Sequence, residues 1–75
     1  MNTDTLKHPE ASAFIIDHLV LHKLSSFHAM WSRADVAHRR FLDRAVRDLV
    51  EQKIINRSRD GRYGLTASSQ KALAA

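Results

Sequence analysis

The apolar positions along this chain keep a helical period for most of its length and then switch to a strand-like one. Phe14, Ile15, Ile16, Leu19, Val20, Leu21 and Leu24 recur at helical spacing. Pro9-Glu10 ahead of them makes a good helix opening. Proline fits the first helical position, and an acid there meets the positive end of the helix dipole. Helix 1 is therefore expected over about residues 9–24, after a flexible N-terminal segment, residues 1–8. Its apolar arc is wider than one stripe. Either a single core absorbs all of it, or a second copy covers part of it in a homodimer through helix 1.

Ser25-Ser26 reads as a break and an N-cap. Phe27, Met30, Trp31 and Ala34 then share one face of a short helix 2 over about 26–33, with Trp31 in the core or at its rim. Leu42, Ala45, Val46, Leu49 and Val50, spaced i, i+3, i+4, i+7 and i+8, form the inward stripe of helix 3, about 36–53. Its start has two readings: a capping box of Ser32 with Asp35, or Asp35 as the cap itself. Its outward face carries Arg40, Asp43, Arg44, Arg47, Asp48 and Glu51.

Ile54–Ser58 and Arg62–Leu65 are of strand length, with Asp60-Gly61 between them. A two-residue loop would leave Leu65 facing Asn56. A three-residue loop, Arg59-Asp60-Gly61, sets Ile55 opposite Leu65 and Arg57 opposite Tyr63, and puts Gly61 where a left-handed backbone is needed. A slip of one residue inverts the faces, so apolar pairing selects the three-residue loop. Thr66 then caps a last helix over 66–73, with Leu73 as its clearest core contact. The expected fold is mainly α with a small β-hairpin: a three-helix core, a two-stranded wing at 54–65 and a short C-terminal helix, in one domain spanning 9–75. A lone hairpin is barely stable in water, so this one must pack on the helices.

Composition narrows the function classes. A chain of 75 residues holds one small core, and 44% hydrophobic with 27% charged residues is a globular balance. With no cysteine, a disulfide scaffold and a thiolate zinc site are both excluded. The run Phe14–Leu21 is interrupted by Asp17 and His18 and falls far short of the ~20 residues a membrane span needs. The opening MNTDTLKHPE is polar and unlike a secretion signal. The expectation is a cytoplasmic protein with no membrane partner. His18 and His22 stand at i,i+4, but no metalloprotease-type Glu lies between them and no third ligand is evident. They read as structural or surface histidines, with no metal and no cofactor. No strained nucleophile elbow and no Gly-rich phosphate loop is present, so the chain does not read as an enzyme.

Charge is the informative property. The net charge is +4, and all of the excess lies in residues 33–62. There Arg33, Arg39, Arg40, Arg44, Arg47, Lys53, Arg57, Arg59 and Arg62 face only Asp35, Asp43, Asp48, Glu51 and Asp60. Arginine dominates lysine, which suits bidentate phosphate contacts. The plain alternative is a solvated face on which Asp43 pairs with Arg47 and Arg44 with Asp48 at i,i+4.

RAVRDLVEQKII (Arg44–Ile55) followed by RSRDGRYGLTASSQKAL (Arg57–Leu73) resembles the winged helix-turn-helix family. The likeness covers residues 25–73, with residues 1–24 matching only as a generic first helix. It lies in the order of parts: a charged helix end, an apolar strand start, a wing with Asp-Gly-Arg, and Leu-Thr opening the next helix. Lys53 stands where many relatives have Gly, and Ser69 stands where many have Gly after Leu-Thr. The resemblance implies sequence-specific binding of double-stranded DNA by a small transcriptional regulator, with helix 3 in the major groove and the wing on the backbone or minor groove. Carried over, His38, Arg39, Arg40, Arg44 and Arg47 would be the helix contacts, and Arg57, Arg59 and Arg62 the wing contacts. The competing reading is a protein–protein interaction module or inhibitor on the same scaffold that docks on another protein complex and does not bind DNA.

Overall fold

The computed structural model describes residues 7–74. Most of the flexible segment expected over residues 1–8 thus lies outside the described residues, as does Ala75. Five helices and a small three-stranded antiparallel sheet make up the domain. In chain order these are α1 (Pro9–His22), β1 (Leu24–Ser26), α2 (Phe27–Arg33), α3 (Val36–Arg39), α4 (Leu42–Glu51), β2 (Ile55–Arg57), β3 (Arg62–Leu65) and α5 (Ala67–Ala74).

Helix α1 opens as its sequence requires, with proline in the first turn and Glu10 behind it. Ala11, Ile15, Ile16 and Leu19 are buried against α4. The rest of the wide arc is not absorbed: Val20, Leu21 and Leu24 are exposed, Leu21 at 77%. The helix stops at His22 and not near Leu24, because Lys23 takes φ 65, ψ −66. That is close to the strained γ-turn conformation, and it turns Leu24–Ser26 into a sheet strand. Where a plain break was expected, the chain therefore has a third strand.

Ser26 caps α2, accepting from the Ala29 amide at 3.2 Å. Met30 and Ala34 are buried, while Trp31 sits at the rim. Of the two readings for the next start, Asp35 is the cap: its Oδ1 accepts from the His38 amide at 2.8 Å, and Ser32 donates back to the His28 carbonyl instead. The expected single helix 3 over 36–53 is divided into α3 and α4. Phe41 leaves helical geometry (φ −119, ψ 11) and stacks on His8 at 5.0 Å, while Leu42 behind it is fully buried. Leu42, Ala45, Val46 and Leu49 form the inward stripe, but Val50 at its end is exposed.

The end of α4 holds Lys53 in a left-handed backbone conformation. Lys53 has φ 61, its amide bonds the Val50 carbonyl at 3.0 Å, and the Ile54 amide bonds the Leu49 carbonyl at 3.0 Å. This is a Schellman stop, in which the left-handed position normally falls to Gly. Thr66 then caps α5 as expected, receiving the Ser69 amide at 3.3 Å. The core contact of α5 is not Leu73, which is 47% exposed. Ser69 is buried and donates to the Ile54 carbonyl at 2.8 Å, and Thr66 donates to the Lys53 carbonyl at 2.9 Å. Two hydroxyls draw the first turn of α5 inward, and Leu73, a turn later, is left over an open groove with Val20 and Leu65.

The sheet order is β1-β3-β2. Ile55 faces Leu65 and Arg57 faces Tyr63, the register of the three-residue loop. Gly61 adopts φ 84 at the third loop position. On the other side of β3, Leu24 faces Gly64 and Ser26 faces Arg62. A Cβ on Gly64 would stand 2.8 Å from Leu24 Cδ2 and 3.1 Å from the Lys23 carbonyl.

Two stability outcomes follow from these backbones. Lys53→Gly relieves the left-handed strain at the α4 stop and is expected to raise the unfolding free energy by roughly 0.5–1 kcal/mol. Gly64→Ala crowds β1 against β3 and is expected to lower it by about 1–3 kcal/mol. Chemical denaturation of the three proteins checks both signs; a destabilised Lys53→Gly would mean that the Lys side chain holds the stop in some other way.

Candidate nucleic-acid interface

The basic side chains expected to form a contact surface are placed in quite different circumstances. Arg44 and Arg47 project from the exposed side of α4. The ion pairs expected for them do not form: among the described residues, pairs within 4.0 Å are His38–Asp35 and Arg62–Asp60. Asp48 was expected on the outward face, yet it is 4% exposed and turned inward. Its Oδ2 accepts the Lys7 amide at 3.1 Å, while Oδ1 is buried without a hydrogen-bond partner. The reason is positional. Asp48 precedes Leu49 at the edge of the inward stripe, where the chain entering α1 crosses α4 and supplies a backbone donor.

At the start of the former helix 3 the side chains are more committed. Arg39 donates from Nε to the Trp31 carbonyl at 2.8 Å, and its guanidinium lies 5.4 Å over the indole. Such a cation–π contact in addition to a hydrogen bond holds the group against its own domain. Arg40 is exposed, with its guanidinium 5.7 Å over Phe41. His38 is half-buried, stacked on Phe14 at 5.2 Å and paired with Asp35 at 3.3 Å.

The β2–β3 hairpin carries three further arginines, all exposed. Its tip is held by hydrogen bonds from the Ser58 amide to the Arg62 carbonyl (2.7 Å) and from the Gly61 amide to the Ser58 carbonyl (3.1 Å). Ser58 Oγ donates to Asp60, and this bond, with help from the Arg62 amide and charge, holds the Asp60 carboxyl below its ordinary range. Asp60 also pairs with Arg62 Nε at 3.4 Å. The Arg57 guanidinium lies near the tip, with Nη2 3.6 Å from where a Gly61 Cβ would be. Arg59 at the apex has no carboxylate within 4.0 Å. The arrangement offers arginine forks on an exposed helix face and along a hairpin, which is the chemistry of phosphate and base-edge contact.

Other chemistry has less support. Among the described residues, no three or more His, Cys, Asp or Glu side chains gather as a metal would need, and no helix is long and apolar enough to cross a membrane. His18 and His22 do share a face, with ring centroids 4.5 Å apart. His18 is buried, and its Nε2 lies 2.8 Å from Ser25 Oγ. Ser25 has one hydroxyl hydrogen; when this goes to the Ser26 carbonyl at 3.2 Å, the ring must donate from Nε2. Arg33 was never singled out in the sequence, yet it faces these histidines across the same cleft. The signal that would have found it is the strand β1, too short to read from periodicity.

Comparison of the chain with family models, with curated proteins and with solved structures found no match.

Burial lowers the His18 pKa below its ordinary 6.5, and the charges of His22 and Arg33 lower it further. The folded state therefore binds this proton less readily than the unfolded chain. Stability from this source is complete above about pH 6.5 and is lost as pH falls through the lowered folded value. The denaturation midpoint is expected to drop as pH falls below about 6.5, ahead of most carboxylates. His18→Gln should flatten that dependence; an unchanged slope would place its origin in another group.

Proposed function

We propose that this chain is a sequence-specific double-stranded DNA-binding protein of the winged-helix type, acting as a small transcriptional regulator. In this reading α4 enters the major groove and the wing follows the backbone or minor groove. The observation that carries it is a set of exposed arginines on α4 and the hairpin that make no close carboxylate contact, although α4 also exposes Asp43 and Glu51. Arg44 and Arg47 are exposed with no acid within 4.0 Å, and the acid expected to neutralise Arg44 is turned into the domain. The wing adds Arg59 in the same condition. Further support comes from the order of elements, in which β1 joins the hairpin as a third strand between α1 and α2. Arg39, held by Trp31, contributes in this reading by fixing the α2–α3 corner more than by reaching DNA.

One observation favours the second reading, a protein-interaction module. Val20, Leu21, Leu24 and Leu73 are large, apolar and exposed. Such residues suit a protein partner or a second copy of this chain through α1.

Binding of mixed-sequence duplex DNA across a salt series separates the two. If Arg40, Arg44, Arg47, Arg57, Arg59 and Arg62 each touch a phosphate, log K falls with log salt at a slope of about −5. Arg44→Ala/Arg47→Ala and Arg59→Ala/Arg62→Ala should each make the slope shallower by about 2. Absence of binding near about 50 mM salt, or binding undiminished from the wild-type chain in both double variants, would sink the DNA reading.

A further inference from the structure

A second basic feature adjoins that surface and shares Arg62 with it. An open cleft of about 400 Å³ runs between the end of α1, β1, α2 and the root of the wing. His18, His22, Ser25, Ser26, Arg33 and Arg62 line it, and none of its lining residues is acidic. Two of its polar side chains, His18 and Ser25, are more than nine-tenths buried and bonded to each other at 2.8 Å. The fold has thus placed a buried polar pair at the floor of a cleft with exposed cationic walls.

The donors on that floor and those walls can be counted. Ser26 Oγ accepts from the Ala29 amide, which leaves its hydrogen to be directed elsewhere. Arg33 and His22 are exposed and take no carboxylate within 4.0 Å, whereas Arg62 shares its Nε with Asp60. The nearest acid on α1, Asp17, lines the adjoining cleft, which shares His18, His22 and Arg33. Two imidazoles and two guanidiniums therefore converge with little opposing charge inside the cleft. A tetrahedral oxyanion accepts several hydrogen bonds at once and supplies the missing charge.

We propose that this cleft binds a phosphate-class oxyanion, held by Arg33 and Arg62 with His22 and Ser26 as further donors, and held more tightly when the histidines are protonated. The burial and neighbouring charge that disfavour a proton on His18 act in the anion-free cleft. A bound anion offsets the neighbouring positive charge, so binding and proton uptake are linked. The inference stands apart from DNA recognition by α4, since His22 and Arg33 belong to neither the helix face nor the wing tip.

Imidazole and amide NMR spectra of the full chain test it, with inorganic phosphate titrated against chloride at matched ionic strength, near pH 5.5 and near pH 8. Saturable shifts at His18, His22, Ser25 and Ser26 are expected, with affinity about tenfold or more weaker at the higher pH. His22→Asn and Arg33→Ala replace exposed side chains, and an otherwise unchanged amide spectrum verifies their fold; both should lose most of the response. A short duplex in a parallel titration identifies the source. If the duplex moves these resonances and free phosphate does not, the anion is a backbone phosphate; if free phosphate moves them, the site accepts a small anion. No saturable shift with either probe, or shifts undiminished in both variants, would overturn the proposal.

Discussion

Strand β3 is paired on both sides, and most of the molecule's arrangement depends on that. Two strands joined by a tight loop are marginal in water. Here β2 supplies one neighbour through Ile55–Leu65, and β1 supplies the other through Leu24–Gly64. The second pairing has a cost in backbone geometry. Lys23 ends α1 abruptly at φ 65, and a side chain at position 64 would crowd the Leu24 side chain and the Lys23 carbonyl as β1 approaches. Strain of this kind persists only where the surroundings over-determine it, and the strand pairing with its flanking core does so. The consequence reaches the surface: Ser26 lies opposite Arg62, so the α1–α2 corner is joined to the root of the β2–β3 hairpin.

A second junction fixes α4 to the same sheet. The carbonyls of Lys53 and Ile54 would be left without partners by the Schellman turn, and the hydroxyls of Thr66 and Ser69 satisfy them. A backbone bond from the Thr66 amide to the Ile54 carbonyl at 3.0 Å completes the knot. The end of α4, the start of β2 and the first turn of α5 are thereby joined over a core of Leu49 and Ile55. Basic side chains on α4 and on the wing hang from this junction, and rigid elements position contacting groups more accurately than free loops do.

Much of this was legible in the residues. The apolar pairing of Ile55 with Leu65 was enough to choose the loop length, because one face of the hairpin is buried and a slip would invert it. Thr66 announced its helix through cap chemistry, and Asp35 was one of two cap readings that the residues left open. What stayed hidden was non-local. β1 has three residues, Leu-Ser-Ser, with no period to read, and exists only because β3 lies beside it. The break at Phe41 falls inside a continuous helical pattern and is tied to His8, far away in sequence. Leu73 looked like a core residue by hydrophobicity, yet hydroxyl-to-carbonyl bonding at Ser69 set the tilt of α5. For the candidate site, the identity of the arginines was plain, but their availability was not. That depended on where the acids went.

The acids of the basic half are used mainly by the backbone. Asp35 takes the His38 amide, Asp48 the Lys7 amide, and Asp60 the Arg62 amide together with the Ser58 hydroxyl. A carboxylate that accepts from a fixed backbone donor gains a short-range bond in one geometry. A surface ion pair must instead order two long side chains and is worth little in water. Folding therefore draws these acids toward caps and turns and away from Arg44, Arg47 and Arg59. Unpaired guanidiniums about 10 Å apart in water repel by only about 0.4 kcal/mol, so the fold tolerates them easily. The lack of close ion pairs at these arginines is thus a by-product of how the backbone is satisfied, while Asp43 and Glu51 stay exposed beside Arg44 and Arg47 on α4.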